Sequence, residues 1–210
     1  QDILMRLDVF LTEKGLCESR QRAKLLIESG LVMQNGRIAA KPAAAVAETD
    51  RIEIVGEALP YVSRGALKLE KAFEAFSLDA AGQTAIDVGA STGGFTEYLL
   101  LRGAVKVYAV DAGSGQLAAK LRADARVISM EKYNARLLSP KDFPVPPTLA
   151  VMDVSFISQT LILPALYSVL AERALLVSLV KPQFEAGREQ VGKKGVVRDK
   201  AVHLEVVEKI

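Results

Sequence analysis

Apolar positions recur along this 210-residue chain in two rhythms, and the change of rhythm divides it. The first quarter reads as short helices. Leu7, Phe10 and Leu11 share one face of "RLDVFLTEKG", which Gly15 ends. Ala23, Leu26 and Ile27 share one face of "ESRQRAKLLIESG", where Ser19 is placed as an N-cap and Gly30 closes the helix. In "LVMQNGRIA", Asn35-Gly36 stands between apolar flanks, a tight-hairpin signal, and "DRIEIVG" alternates like a half-buried strand. The expectation is a small α+β module over residues 5–57.

After a connection over 58–65, a helix is expected from near Ala66, with Leu67, Ala72, Phe73 and Phe76 of "ALKLEKAFEAF" available to pack. Five apolar, β-rich runs follow: "TAIDVGA", "KVYAVDA", "RVISM", "TLAVMDVSF" and "ALLVSLVKP". Helical stretches separate most of them, notably "TEYLLLRG", "SGQLAAKLRAD" and "ISQTLILPALYSVLAE". Such alternation predicts an α/β domain over 66–210, a mostly parallel sheet with helices on both faces. The last stretch, "DKAVHLEVVEKI", reads as helix, and the edge strands that complete a sheet of this kind are expected beyond Ile210.

Composition narrows the field modestly. Half the residues are hydrophobic, enough for one substantial core and a second small domain, and the net charge of +2 makes no case by itself for nucleic acid or membrane binding. The single cysteine, Cys17, and the absence of a charged-then-apolar leader lead to the expectation of a cytoplasmic protein. No apolar run approaches the roughly 20 residues that a membrane-spanning helix requires. Charge therefore matters locally. Arg20, Arg22 and Lys24 gather on the second helix, although residues 5–57 hold eight basic and eight acidic side chains.

The turn "DVGASTGGFT" carries the first chemical signal: an apolar strand runs through three glycines into a helix, as at the start of a nucleotide-binding βαβ unit. A P-loop needs lysine and then serine or threonine after its glycines, where Phe95-Thr96 stands. A dinucleotide turn needs G-x-G-x-x-G, whereas this one reads G-x-x-x-G-G with Asp87 two residues ahead of the first glycine. An acid there opposes a pyrophosphate and suits a cationic methionine-like group. The turn, with Asp87, Gly89, Ala90, Ser91, Gly93 and Gly94, thus favours S-adenosylmethionine over NAD. Asp111, 22 residues beyond Gly89, is placed to accept hydrogen bonds from ribose hydroxyls, and Asn134 follows the third strand where a side chain can face an adenine. Asn134 also fits an ordinary turn residue.

Asp153 and Lys181 close the fourth and fifth strands, at the sheet edge where open α/β folds bind ligands. A lone charge at a strand end is ordinarily just solvated. Two of opposite sign beside a cofactor turn point to a site. The segment from Lys181 to Lys200 carries six basic residues against three acidic, an excess equally suited to RNA phosphates or to solvent. His203, the sole histidine, lies without a Cys or carboxylate cluster, and no metal is expected.

Two resemblances sharpen these expectations. Residues 6–54, through Arg6-Leu7-Asp8, Gly15-Leu16, Ser19-Arg20, Asn35-Gly36, Lys41-Pro42 and Asp50, closely resemble the RNA-binding module named after small-subunit ribosomal protein four. That resemblance implies a grip on structured RNA through Arg6, Arg20, Arg22 and Lys24. Together with "YVSRGALKLEKA", "DVGASTGGFT", "YAVDAG", "MDVSFIS" and "LVKPQFEAGREQVGKKGVVRD", nearly the whole chain resembles the TlyA family, which joins this module to an FtsJ-like, Rossmann-like methyltransferase domain. The implied activity is S-adenosylmethionine-dependent 2′-O-methylation of ribosomal RNA, with ribosomal RNA or subunits as partners; no membrane partner is expected, because the sequence shows no signal segment, spanning helix or strongly amphipathic basic helix. Lys68, Asp153 and Lys181 match the first three members of the family's lysine, aspartate, lysine, glutamate set. The glutamate is expected beyond Ile210, because neither Glu205 nor Glu208 matches its context. Ala66 and Ser114 depart from the family pattern. Lys181 is expected to act as general base, with Lys68 and Asp153 positioning and tuning it. The alternatives are an RNA-binding protein with a catalytically inactive methyltransferase-like domain and, since the family also carries the label, a membrane-active hemolysin.

Overall fold

A computed structural model describes residues 4–17, 19–56 and 61–210, and the chain divides into two compact units, Gln1–Pro60 and Tyr61–Ile210. Of the connection read over 58–65, residues 58–60 lie outside the described residues, and residues 61–64 belong to the second unit.

The first unit runs β1 (Met5–Arg6), α1 (Leu7–Glu13), α2 (Arg20–Glu28), β2 (Val32–Gln34), β3 (Arg37–Ile38), β4 (Ala45–Val46) and β5 (Ile52–Ile54). Ser19 caps α2, its Oγ accepting the Arg22 N–H at 3.2 Å. Asn35 and Gly36 both take left-handed backbone, φ 51° and 76°, as the tight hairpin between β2 and β3 requires. The apolar faces read from the spacing meet in one core of Leu7, Leu11, Ala23, Leu26, Ile27 and Val32. The antiparallel pairing of β1 with β4 has no sequence signal, since two residues show no period.

The second unit comprises α3 (Gly65–Phe76), β6 (Thr84–Val88), α4 (Gly94–Leu101), β7 (Lys106–Val110), α5 (Ala119–Arg122), β8 (Val127–Met130), β9 (Leu149–Met152), α6 (Leu163–Val169), β10 (Leu175–Ser178), α7 (Pro182–Glu185) and α8 (Lys200–Lys209). All five apolar runs become strands of one sheet, ordered β10-β9-β6-β7-β8, with every pairing parallel. The two faces bury alternate residues. Ala85, Val107, Ala109 and Val151 pack with Leu69, Phe73, Tyr98 and Leu99 of α3 and α4, while Ile86, Val88, Tyr108 and Met152 pack with Ile162, Leu166 and Val169. Covering both faces with helices accounts for the near-continuous apolar character of the central strands.

Chain order places β7 and β8 on one side of β6, and β9 and β10 on the other. The order in which strands are added therefore reverses between β6 and β9, and a crevice opens at their carboxyl ends. One helical expectation shrinks: of "SGQLAAKLRAD" only Ala119–Arg122 is helical. The preceding residues wrap the Asp111 carboxylate instead, Gly113 N–H donating to its Oδ1 at 2.7 Å.

Candidate active site

Four strand ends converge on the crevice. Gly89 follows β6, Asp111 follows β7, Asp153 follows β9, and Lys181 stands three residues beyond β10. Two adjoining cavities open there, and Gly89, Ser91, Asp153 and Ser155 line both. The larger, about 460 Å³, is walled by Val110, Asp111, Tyr133, Asn134, Phe156 and Ile162 among others. The smaller, about 290 Å³, is bounded by Ser63, Gly65, Ala90, Gly94, Phe95 and Lys181. The larger has the size and mixed lining of a small-molecule site.

The glycine turn has a separate reason at each of two positions. Gly89 holds φ 86°, and a Cβ there would stand 2.6 Å from the Asp153 carbonyl oxygen, so only glycine lets β6 and β9 leave the sheet so close together. Gly93 holds φ 98°, and a Cβ there would strike Leu121 and Leu117. Gly93 lines neither cavity, and its close neighbours Leu117 and Leu121 show that it also packs the turn against α5 and the segment leading into it. Gly94 does line the smaller cavity, where Ser63 presses against it.

Asp87 also departs from expectation. It is fully buried beneath the turn, with Oδ2 accepting the Thr96 hydroxyl at 2.7 Å and Oδ1 lacking a hydrogen-bond partner among the described residues. Burial pushes its carboxyl up to about 7, the Thr96 hydrogen bonds oppose the rise, and the charges of Asp153 and Asp111 add to it. Asp87 thus braces the turn from below and lines neither cavity.

Asp111 and Asn134 do meet in the larger cavity. The Asp111 carboxylate is aimed by two backbone donors, Ser91 N–H to Oδ2 and Gly113 N–H to Oδ1, both at 2.7 Å. Each oxygen retains a second lone pair for a ligand hydroxyl. Asn134 fulfils both of its readings: its Oδ1 accepts the Arg136 N–H at 3.0 Å, capping a short 3₁₀ turn, while the residue still lines the cavity. The Tyr133 ring beside it is anchored by its hydroxyl, which donates to Asp142 at 2.7 Å. Burial and Asp142 hold that hydroxyl up at about 12.

At the shared wall the structure brings Lys68, Asp153 and Lys181 together. Lys181 Nζ stands 2.5 Å from Asp153 Oδ1, an ion pair without hydrogen-bond alignment, and donates to Ser155 Oγ at 2.8 Å. Lys68 Nζ, from α3, stands 3.6 Å from Asp153 Oδ2. One carboxylate thus orients two ammonium groups, and Lys181 is the more enclosed, its side chain 18% exposed against 52% for Lys68.

Neither strand ends nor motif spacing singles out Ser155 and Phe156. Phe156 is 90% exposed, holds φ 64°, and packs its ring on Phe184 with centroids 4.9 Å apart. A bulky residue in left-handed backbone is strained, and such strain concentrates at working sites. The aromatic directly after "MDVS" was the available signal.

In the first unit, Asp8 is fully buried and accepts two hydrogen bonds from Arg6, both at 3.0 Å, and one from Arg20 at 3.2 Å. The Arg6 hydrogen bond foremost, with Arg20 assisting against the cost of burial, lowers its carboxyl to about 2. Arg6 and Arg20, expected on an RNA-facing surface, thus also clamp β1 to α2, with their side chains still about half exposed. Arg22 is half-buried on the same helix and Lys24 is exposed.

Family models match two parts of the chain, the S4 domain over residues 5–52 and the FtsJ-like methyltransferase over residues 61–210. The 16S/23S rRNA (cytidine-2′-O)-methyltransferase TlyA of Mycobacterium tuberculosis is 50% identical over 195 residues, which span 92% of this chain and 73% of that protein. YqxC of Bacillus subtilis, a candidate rRNA methyltransferase, is 49% identical over 206 residues, 98% of this chain and 73% of that protein. Among solved structures, a candidate hemolysin from Streptococcus thermophilus aligns with a TM-score of 0.73 at 48% identity, over all of this chain and 77% of that one.

Proposed function

This chain belongs to the FtsJ-like methyltransferase family, with an S4 domain ahead of the methyltransferase domain, and from that membership we propose that it methylates a ribose 2′-hydroxyl of ribosomal RNA, with S-adenosylmethionine as donor. The observation that carries this reading is the pairing of Lys181 and Lys68 on the two oxygens of Asp153, at the wall shared by two adjoining cavities.

The residues present fit the donor. Gly89 keeps clear the space that a Cβ would fill, and Asp111 presents acceptor lone pairs to a ribose. Asn134 and the fixed Tyr133 ring wall the end suited to an adenine. When bound, S-adenosylmethionine supplies a methyl group on a positively charged sulfur.

The chain's own groups then align and deprotonate the acceptor. Ser63, Gly65 and Gly94 bound the cavity from which a hydroxyl approaches Lys181. After giving one proton to solvent, Lys181 takes the hydroxyl proton at Nζ as the oxygen attacks, and Asp153 and Ser155 fix the direction of Nζ. Lys68 stays on the second oxygen of Asp153, so that carboxylate keeps a cation throughout. Holding the reactants in line contributes up to about 7–11 kcal/mol in favourable intramolecular systems. The exposed Phe156 ring at the cavity rim offers a stacking face to the nucleobase of the acceptor. In the first unit, Arg22 and Lys24 on α2, with the outer sides of Arg6 and Arg20, supply the cations for RNA phosphates. A ribosomal RNA substrate supports a cytoplasmic place of work.

The test is transfer from tritiated S-adenosylmethionine to isolated ribosomal subunits, followed by nucleoside mass spectrometry. A 2′-O-methylnucleoside is expected. Lys181→Ala should lower transfer at least about 100-fold, the lower end of what a positioned general base contributes, while calorimetric affinity for S-adenosylmethionine stays within about twofold. A base-methylated product, or undiminished transfer by Lys181→Ala, would overturn the assignment.

A further inference from the structure

The two loops that carry the reacting groups are also tied together beneath them. One loop runs from Asp153 through Ser155 to Ser158 and Gln159; the other runs from Leu179 through Lys181 into α7, which ends on Glu185. The Glu185 side chain is 2% exposed, and the methyl transfer described above gives it no part. Its Oε1 accepts the Gln159 backbone N–H at 2.8 Å, and its Oε2 accepts the Ser158 hydroxyl at 2.5 Å. Gln159, itself buried, completes the tie in the other direction. Its Nε2 donates to the Leu179 carbonyl at 2.8 Å, and its Oε1 accepts the Ser178 hydroxyl. Above this tie, the Leu179 N–H donates to the Met152 carbonyl at 2.9 Å and prolongs the strand pairing.

A four-residue helix such as α7 has no stability of its own. Pro182 at its start brings no N–H, so the place of Lys181 depends on what α7 is fastened to. The far side is fastened as well, Lys209 Nζ donating to the Glu185 carbonyl at 2.8 Å. Polar ties therefore lie on both sequence sides of the Lys181–Asp153 pair.

We propose that Glu185 is a positioning residue for Lys181: by holding Ser158 and Gln159 it sets the spacing of the two loops and so keeps Lys181 Nζ on Asp153 and Ser155. Its catalytic consequence rests on the reading of Lys181 as the proton acceptor. Glu185→Gln keeps an acceptor for the Gln159 N–H but meets Ser158 with an uncharged amide that can only donate to the hydroxyl oxygen, so the short charge-assisted tie to Ser158 becomes a longer and weaker one.

Two measurements separate this inference from the function itself. In brief acylation with an N-hydroxysuccinimide ester, read peptide by peptide, Lys68 serves as an internal reference because its side chain is 52% exposed. The Lys181 to Lys68 labelling ratio is expected to rise severalfold in Glu185→Gln. In subunit methylation, kcat is expected to fall about 10- to 100-fold, the scale of a misplacement near 1 Å, with KM for S-adenosylmethionine unchanged. Ser158→Ala should repeat the pattern more mildly, and Ser158→Thr, which keeps the hydroxyl, should restore the wild-type ratio. An unchanged labelling ratio in folded Glu185→Gln overturns the positioning role whatever the transfer assay gives; if that variant does not fold, an unchanged ratio in Ser158→Ala does the same. A shifted ratio in a protein that methylates no subunit upholds the tie on Lys181 and defeats the proposed function instead.

Discussion

Two carboxylates a few residues from the same crevice have opposite surroundings. Asp153 faces two lysines, whereas among the described residues Asp87, one strand over, has only Thr96 as a hydrogen-bonding partner and no cation. In an unfolded chain an aspartate ionises near about 3.9, but in the fold Asp87 holds its proton up to about 7 because burial penalises the charge. Between those values the folded state binds the extra proton, so stability falls as pH rises from about 4 to about 7. Denaturant titrations at pH 5 and pH 8 should show a loss on the order of a few kcal/mol in the wild type, and a much smaller change in Asp87→Asn, which keeps an acceptor for Thr96. Equal pH dependence in both proteins would mean that Asp87 is ionised at pH 5.

At the level of elements, the site is a product of strand ends. The glycine turn works because β6 and β9 are neighbours in register, Val88 beside Met152, so that their exits nearly touch. Gly89→Ala sets a Cβ 2.6 Å from the Asp153 carbonyl oxygen and strains a left-handed backbone. The strain alone costs about 1–3 kcal/mol. The exit of β9 must then shift, and Asp153 with it. Calorimetry should show S-adenosylmethionine affinity reduced at least about tenfold, which corresponds to 1.4 kcal/mol. Wild-type affinity in Gly89→Ala would show that the two exits separate without harm. Gly93→Ala acts differently, through Leu117 and Leu121 of the packed layer.

At the scale of the whole molecule, two units close separate cores, one built from residues of α1, α2 and β2, the other layered on both faces of the five-stranded sheet. With a net charge of only +2, attraction for RNA has to come from local clusters. Each phosphate contact that is lost lowers the slope of log affinity against log salt by about one. The double variant Arg22→Gln, Lys24→Gln should therefore bind ribosomal RNA with a slope smaller by about two, while Asp8, clamped by Arg6 and Arg20, keeps the module folded. An unchanged slope would move the RNA-facing surface away from α2. Among the described residues no helix is long and apolar enough to cross a membrane.

The sequence by itself determined what depends on local spacing. Short-range periodicity placed α1, α2 and all five strands of the sheet, Asn35-Gly36 announced its hairpin, the strand ends singled out Asp153 and Lys181, and the family resemblance added Lys68. Only the tertiary structure decided what depends on neighbours distant in the chain. Asp87 turned inward under its turn, Gly93 proved to be a packing position, Asp8 became the anchor for two arginines, and Glu185 joined loops 26 residues apart. Periodicity records which face of an element is apolar, a property of a few consecutive residues. The partner of a buried polar atom is set by strand order and register, which bring side chains together irrespective of their separation along the chain.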